Sequence, residues 1–190
     1  MGSSGKPGMS SGSSTKARRS TGILGSIVEV VVIVAAAFVL ALLIQQFIVK
    51  PFYIPSPSME PTLVQGDRVL VNRFIYRFQQ PQRGDVVVFH PPVEPKQDYI
   101  KRVVGVAGDR IAVKDGKLLV NGRPQSEPYL KEQRIAADFG EITVPAGSIF
   151  VMGDNRNNSG DSRYFGPVKV DQVLGEAFMV YWPVTKISWL

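Results

Sequence analysis

"DYIKRVVGVAGDRIAVKDGKLLVNG", Asp98 to Gly122, is the stretch that decides the fold class. Short runs of Val, Ile and Leu are cut here by Gly-Asp, Asp-Gly and Asn-Gly pairs, the pattern of strands separated by turns. Asp115-Gly116 lies between "RIAVK" and "KLLV" as a hairpin turn of the primed type, and Asn121-Gly122 makes a second tight turn. Outward in both directions the pattern repeats. "RVLV" (68–71) and "DVVVF" (85–89) precede it, and "EITV" (141–144), "SIFVMG" (148–153) and "EAFMVYW" (176–182) follow. From Phe52 onward no stretch holds a 3.6-residue apolar period for more than about two turns. The expected class is therefore all-β, a sandwich or a coiled, barrel-like antiparallel sheet. No internal repeat of fixed period is present. The stretch Pro124–Gly140, with mixed charge and little alternation, reads as a surface insertion.

Ahead of this region stands "VVVIVAAAFVLALLIQQFIV", Val30 to Val49, twenty residues without a charge, about the length that crosses a hydrocarbon core of roughly 30 Å. A cleavable secretory signal is the alternative, but the run exceeds the roughly 7–15 residues of such a signal's apolar region, and Lys50-Pro51-Phe52 is no small-residue cleavage site. On the N-terminal side lies "KARRS", Lys16 to Ser20, behind a Gly/Ser-rich tail. Basic residues beside a span stay in the cytoplasm, so residues beyond about 50 are expected outside, with Phe52 and Tyr53 at the far interface. Three parts are expected: a flexible cytoplasmic tail over 1–22, a single-pass anchor over 23–50 and an extracytoplasmic β-rich domain over 51–190.

Composition narrows the chemistry. The 190 residues include no Cys and one His, His90, which excludes disulfides, thiolate sites and a metal site built from several imidazoles. The net charge of +6 would suit nucleic acid or anionic lipid. Because the basic residues flank the span or alternate with acids along the strands, nucleic-acid binding is not expected. For a hydrolytic site three constructions remain: a serine with His90, a carboxylate pair, or a serine with a lysine base. A lysine can take a proton near neutral pH only where burial disfavours its ammonium form. Lys101 shares a strand face with Tyr99 and Val103, which makes it a candidate for desolvation, although a strand lysine with its head in water is the ordinary case. His90 stands before Pro91-Pro92 and is expected to be structural. "GDNRNNSGDSR" (153–163) is dense in Asp and Asn like a calcium loop, but it lacks the terminal Glu and carries Arg156 and Arg163, so no metal is expected.

"PSPSMEPTL" (55–63), "QRGDVVVF" (82–89), "YIKRVVGVAGD" (99–109) and "GDNRNNSGDSR" follow one another behind the anchor. Together they resemble the type I signal peptidases of bacteria, membrane-anchored Ser-Lys endopeptidases that remove signal peptides from exported preproteins. The resemblance covers nearly all of Phe52 to Trp182. It implies Ser58 as nucleophile and Lys101 as general base, with the Ser58 N–H and the Ser56 hydroxyl as oxyanion hole. It further implies Ser159 as the residue that orients the lysine amine, and Asp161 with Arg163 as a supporting charged pair. Ile54, Met59, Leu63, Tyr99 and Ile100 match positions around pockets for small side chains at the first and third residues before the cut, an Ala-x-Ala type of specificity. No cofactor is implied. The implied partners are preprotein signal peptides and membrane lipid, close to the secretion translocon, at a cytoplasmic or thylakoid membrane. Two other readings are a Ser-Lys protease of the self-cleaving repressor type, which would lack the anchor, and a non-enzymatic anchored β-domain that binds through the proline-rich loop.

One departure stands out: where the family has glycine between the two serines, this chain has Pro57. Proline locks its own φ and drives the preceding residue to extended conformations, which presets the loop and restricts Ser56. If Ser56 donates to the oxyanion, Ser56→Ala lowers turnover by about 10²–10³-fold; an unchanged rate in a preprotein cleavage assay assigns that task to the Ser58 amide alone or with another donor.

Overall fold

The computed structural model describes residues 1–2, 23–47, 49–93 and 97–190. The expected tail over 1–22, with its basic Lys16–Ser20 cluster, thus lies almost wholly outside the described residues. Contacts divide the chain into Met1–Leu40 and Ala41–Leu190.

Helix α1, Ile23–Phe47, has 25 residues and at 1.5 Å per residue is about 37 Å long, enough to cross a bilayer. Its window Gly25–Leu42 has a mean hydropathy of 2.6, and every side chain described there is exposed. An exposed apolar helix has no protein core to face, which fits a lipid environment and makes it a candidate span. It starts seven residues before the charge-free run and so includes Glu29 near its N-terminal end.

The second unit is mostly β. The strands are β1 Val49–Tyr53, β2 Arg68–Asn72, β3 Val86–Phe89, β4 Tyr99–Val106, β5 Arg110–Lys114 and β6 Lys117–Val120. They continue as β7 Arg123–Pro124, β8 Phe139–Thr143, β9 Ser148–Met152, β10 Val168–Lys169, β11 Val173–Trp182 and β12 Ser188–Trp189, with a one-turn helix α2 at Ser162–Phe165. A curled antiparallel sheet runs β1-β2-β11-β3-β4-β9-β10 with β12 on β11, and a smaller sheet runs β7-β6-β5-β8. The all-β class expected from Asp98–Gly122 is the one observed. The turn read at Asp115-Gly116 joins β5 to β6, with φ of 52° and 80° at its two residues, as a primed turn requires.

Both faces of the large sheet's centre are covered. Val86 and Val88 enter one core cluster with Ile54, Met59, Leu63 and Ile100, while Val87 and Phe89 enter another with Val103, Ile149 and Val151. A strand buried on both faces reads as an unbroken apolar run, which is why "VVVF" shows no alternation. β5 and β6, by contrast, alternate buried and less buried residues, pointing Ile111, Val113, Leu118 and Val120 into a third cluster with Phe150 and Met152.

One expectation is corrected. Pro124–Gly140 is not wholly a surface insertion, because Leu130 and Ile135 are buried, Ile135 within the third cluster, and Glu127 is buried with them. Two apolar anchors among mixed charges leave no periodic signal, and the partner that makes a buried Glu127 tolerable lies 29 residues away.

Phe89 packs at 6.3 Å between ring centroids on both Tyr99 and Phe165, tying the start of β4 to α2. Phe89→Ala should cost about 3–5 kcal/mol of stability, read by denaturant unfolding of the detergent-solubilised chain.

Candidate active site

The proline-rich loop between β1 and β2 folds as a single 3₁₀ turn, Pro57–Met59. Ser56 before it is extended (φ −137°, ψ 157°), the conformation that a following proline enforces. Below the turn Ile54, Met59 and Leu63 are at most 1% exposed in the core, so the loop is pinned from beneath. From the side, Asn155 donates its N–H to the Ser58 carbonyl and its side-chain amide to the Pro57 carbonyl, each at 3.1 Å. Ser58 is thereby held with its hydroxyl at the rim of the core.

Lys101 arrives from β4. On one side Val87 of β3 stands opposite it; on the other, Arg102 pairs with Met152, so the chain that leaves β9 at Gly153 passes beside Lys101. The side chain is only 4% exposed overall, and its Nζ lies over the Tyr99 ring at 5.3 Å. Nζ donates to Ser58 Oγ at 2.9 Å and to the Ile100 carbonyl at 2.9 Å. Burial lowers its pKa from 10.5 to about 8, while Asp161 and Asp154 pull it upward. A deprotonated amine at this position would aim its lone pair at the Ser58 hydroxyl.

The cleft over this pair encloses about 300 Å³, and its lining includes Ser56, Ser58, Asp98, Tyr99, Ile100 and Lys101. Of the residues expected around the substrate pockets, Tyr99 and Ile100 are on its wall, whereas Ile54, Met59 and Leu63 lie beneath it in the core. Ser56 is exposed, with Oγ at 3.2 Å from Ser58 Oγ. His90 places Nδ1 at 2.9 Å from an Asp98 oxygen and is not part of the cleft lining, so the side chain in contact with the Ser58 hydroxyl from β4 is the Lys101 amine and not the imidazole.

The loop 153–163 supplies the remainder. Asp161 and Arg163 form a two-point pair, with Nε and Nη2 each at 2.8 Å from a carboxylate oxygen, and Asp161 also accepts from the Gly153 N–H and caps α2. Ser159 packs against Gly153, but its hydroxyl is buried without a hydrogen-bond partner among the described residues, and the second acceptor for the lysine amine is the Ile100 carbonyl. The calcium-like Asp density has another use here, because Asp154 and Asp161 are each engaged by an arginine.

Sequence reasoning missed three of the residues that hold this site. Arg102, inside a buried strand, forms a two-point pair with Asp154 at 2.9 and 2.6 Å and donates to the Gly84 carbonyl. Thr62, four residues beyond Ser58, donates to the same Asp154 at 2.6 Å. Glu127 pairs with Arg156. The available signal was the charge of Arg102 within an apolar strand, since a buried charge demands a partner; no spacing rule points to a carboxylate 52 residues on.

A serine hydroxyl hydrogen-bonded to a buried amine beside a cleft is an arrangement that a serine hydrolase can use. Comparison with known proteins goes further. Residues 27–182 match the model of the family described as "Signal peptidase, peptidase S26". Signal peptidase I of Leptolyngbya laminosa is 41% identical over 162 residues, 82% of this chain and 79% of that protein. Signal peptidase IB of Staphylococcus aureus is 38% identical over 179 residues, 85% of this chain and 93% of that protein. A solved signal peptidase I from Enterococcus faecalis shares 37% identity over 52% of this chain and 97% of its own, with a TM-score of 0.47. The chain belongs to the signal peptidase family, peptidase S26, and is a serine peptidase of the type I class.

A Cβ on Gly153 would collide with the Ser58 carbonyl and the Ser159 side chain. Gly153→Ala should therefore push the Ser58 loop off its seat and lower kcat by about 10²-fold, the scale of a 1 Å misplacement, with the fold retained by circular dichroism.

Proposed function

We propose that the chain removes signal peptides from exported preproteins, cutting after small residues of the Ala-x-Ala type through a Ser58–Lys101 dyad. The observation that carries this reading is the 2.9 Å contact between Ser58 Oγ and an amine that burial brings to a pKa of about 8. Ser58 Oγ attacks the carbonyl carbon at the cleavage site while neutral Lys101 takes the hydroxyl proton. Lys101 then gives that proton to the departing amine, and water, deprotonated by the same lysine, hydrolyses the acyl-enzyme. The Ser58 N–H, with the Ser56 hydroxyl, stabilises the oxyanion. The Ile100 carbonyl orients the lysine amine, the expected contact from Ser159 being absent among the described residues, and Asp161 with Arg163 braces the loop that carries Ser159. A preference for small side chains is supported by the filled core of Ile54, Met59 and Leu63, which packs against Ile100 of the cleft lining.

In the same proposal α1 is the anchor within 23–50 and the tail 1–22 is cytoplasmic. The peptidase domain over 51–190 faces the outside of a cytoplasmic or thylakoid membrane, close to the translocon from which the substrate emerges. Exposed Trp182 and Trp189 on β11 and β12 support a second contact with the lipid interface, where such rings are favoured.

The test is cleavage, in detergent, of a preprotein with Ala at both specificity positions. Wild type should cut after the small residue, and Ser58→Ala and Lys101→Met should abolish cutting while remaining folded. Cleavage by Lys101→Met would remove lysine as base, and no cleavage by wild type would favour the anchored binding domain. The rate should rise with pH through about 8, as Lys101 loses its proton; a profile flat from neutral to mildly alkaline pH overturns the assignment. Stability moves in the same direction. The unfolded lysine holds its proton up to 10.5 and the folded one only to about 8, so the penalty for the buried ammonium is full below pH 8 and is relieved above it. Lys101→Met should accordingly stabilise the fold at pH 7, by up to about 3 kcal/mol.

A further inference from the structure

Glu127 lies in the segment 124–140, to which neither sequence motifs nor the dyad mechanism assigns a task. Its carboxylate accepts from Arg156 Nη1 at 2.8 Å and Nη2 at 2.6 Å, and from the Tyr129 hydroxyl at 2.9 Å. The two charged side chains are sealed from solvent, at 0% exposure for Arg156 and 6% for Glu127. Arg156 in turn donates Nε to the Gly153 carbonyl at 3.0 Å and accepts Arg163 Nη2 on its own carbonyl at 2.6 Å. Gly153 rests against the Ser58 carbonyl, and Asn155 donates to it. One chain of direct contacts thus runs from Glu127 through Arg156 and the turn 153–156 to the backbone of Ser58.

The same segment grips that turn at further points. The Lys131 N–H reaches the Asp154 carbonyl at 3.4 Å, the Ala136 N–H reaches Asn157 Oδ1 at 2.8 Å, and the Lys131 amine pairs with Glu60, two residues past Ser58, at 2.7 Å. We infer that Glu127 is a positioning residue for the peptidase reaction: through Arg156 it clamps the turn that seats the Ser58 backbone, so the segment 127–136 acts as a brace for the nucleophile. Stability alone would not call for this pair. Leu130 and Ile135 already anchor the segment, and a buried ion pair of this kind is generally matched or bettered by apolar residues of equal volume. What a carboxylate and a guanidinium add is direction, because the planar two-point contact fixes the orientation of Arg156 and of the backbone it holds.

The inference rests on Ser58 being the nucleophile, so Ser58→Ala accompanies every assay; cleavage by that variant would sink the underlying reading and is distinct from the outcomes below. With the full chain in detergent and the Ala-x-Ala preprotein, Glu127→Gln should lower kcat 10- to 100-fold with KM within twofold of wild type. Tyr129→Phe, which removes one hydroxyl contact, should lower kcat about threefold, and exposed Ser126→Ala should change nothing. The double variant Glu127→Gln/Arg156→Met carries no unpaired buried charge, so its Tm should return to or above that of wild type while kcat stays low. Recovery of kcat along with Tm in the double variant would reduce the pair to a stability element and overturn the proposal. Unaltered kcat in both Glu127→Gln and Tyr129→Phe would do the same. If Glu127→Gln alone fails to fold, the double variant and Tyr129→Phe decide.

Discussion

The structure depends on one unfavourable act, the burial of the Lys101 amine. An ammonium in a protein interior costs free energy, and that cost moves the group toward the neutral form a base requires. Strand β4 makes the burial unavoidable. It sits between β3 and β9 in the middle of the curled sheet, with apolar clusters on both faces. Two carboxylates nearby, Asp161 and Asp154, oppose the shift. Each is committed to an arginine, Arg163 and Arg102, and cationic partners on both carboxylates moderate their pull on the amine.

The loop 153–163 is the second consequence of the same topology. Because β9 lies beside β4 with Met152 opposite Arg102, the chain leaving β9 has to pass the lysine, and it does so as a turn dense in hydrogen bonds. Asn155 takes hold of the Ser58 loop, Asp154 joins Arg102 to Thr62, and Asp161 caps the helix that follows. Ser58 and Lys101, 43 residues apart, are thereby referenced to one hydrogen-bonded piece of backbone. Proline does the complementary work on the other side, since Pro57 presets both its own turn and the extended Ser56.

Much of this was legible beforehand, for identifiable reasons. Alternation in "RIAVK" and "KLLV", with Asp115-Gly116 between them, is a local property, because side chains of a strand alternate faces and a primed turn needs residues that tolerate positive φ. The apolar helix is equally local, as length and absence of charge suffice to mark it. The placement of Lys101 between Tyr99 and Val103 marked it as a lysine that could be desolvated, and the four motifs in order pointed to the family.

Whether Lys101 was in fact buried could be settled only by packing, because a strand lysine is wet or dry according to what the rest of the chain lays over it. The same holds for Arg102 with Asp154 and Arg156 with Glu127: residue types advertise a need for partners but not the partners' addresses, which follow from strand order and register. Tertiary structure also buried Ile54, Met59 and Leu63 in the core, and tucked Leu130, Ile135 and Glu127 of the segment 124–140 inside rather than leaving them on the surface. Sequence by itself determined the class of fold and the apolar helix, since these rest on local periodicity and chemical character. The depth of the amine, the seating of the serine and the charge pairs around them were decided by contacts between residues 29 to 98 positions apart, which no local pattern encodes.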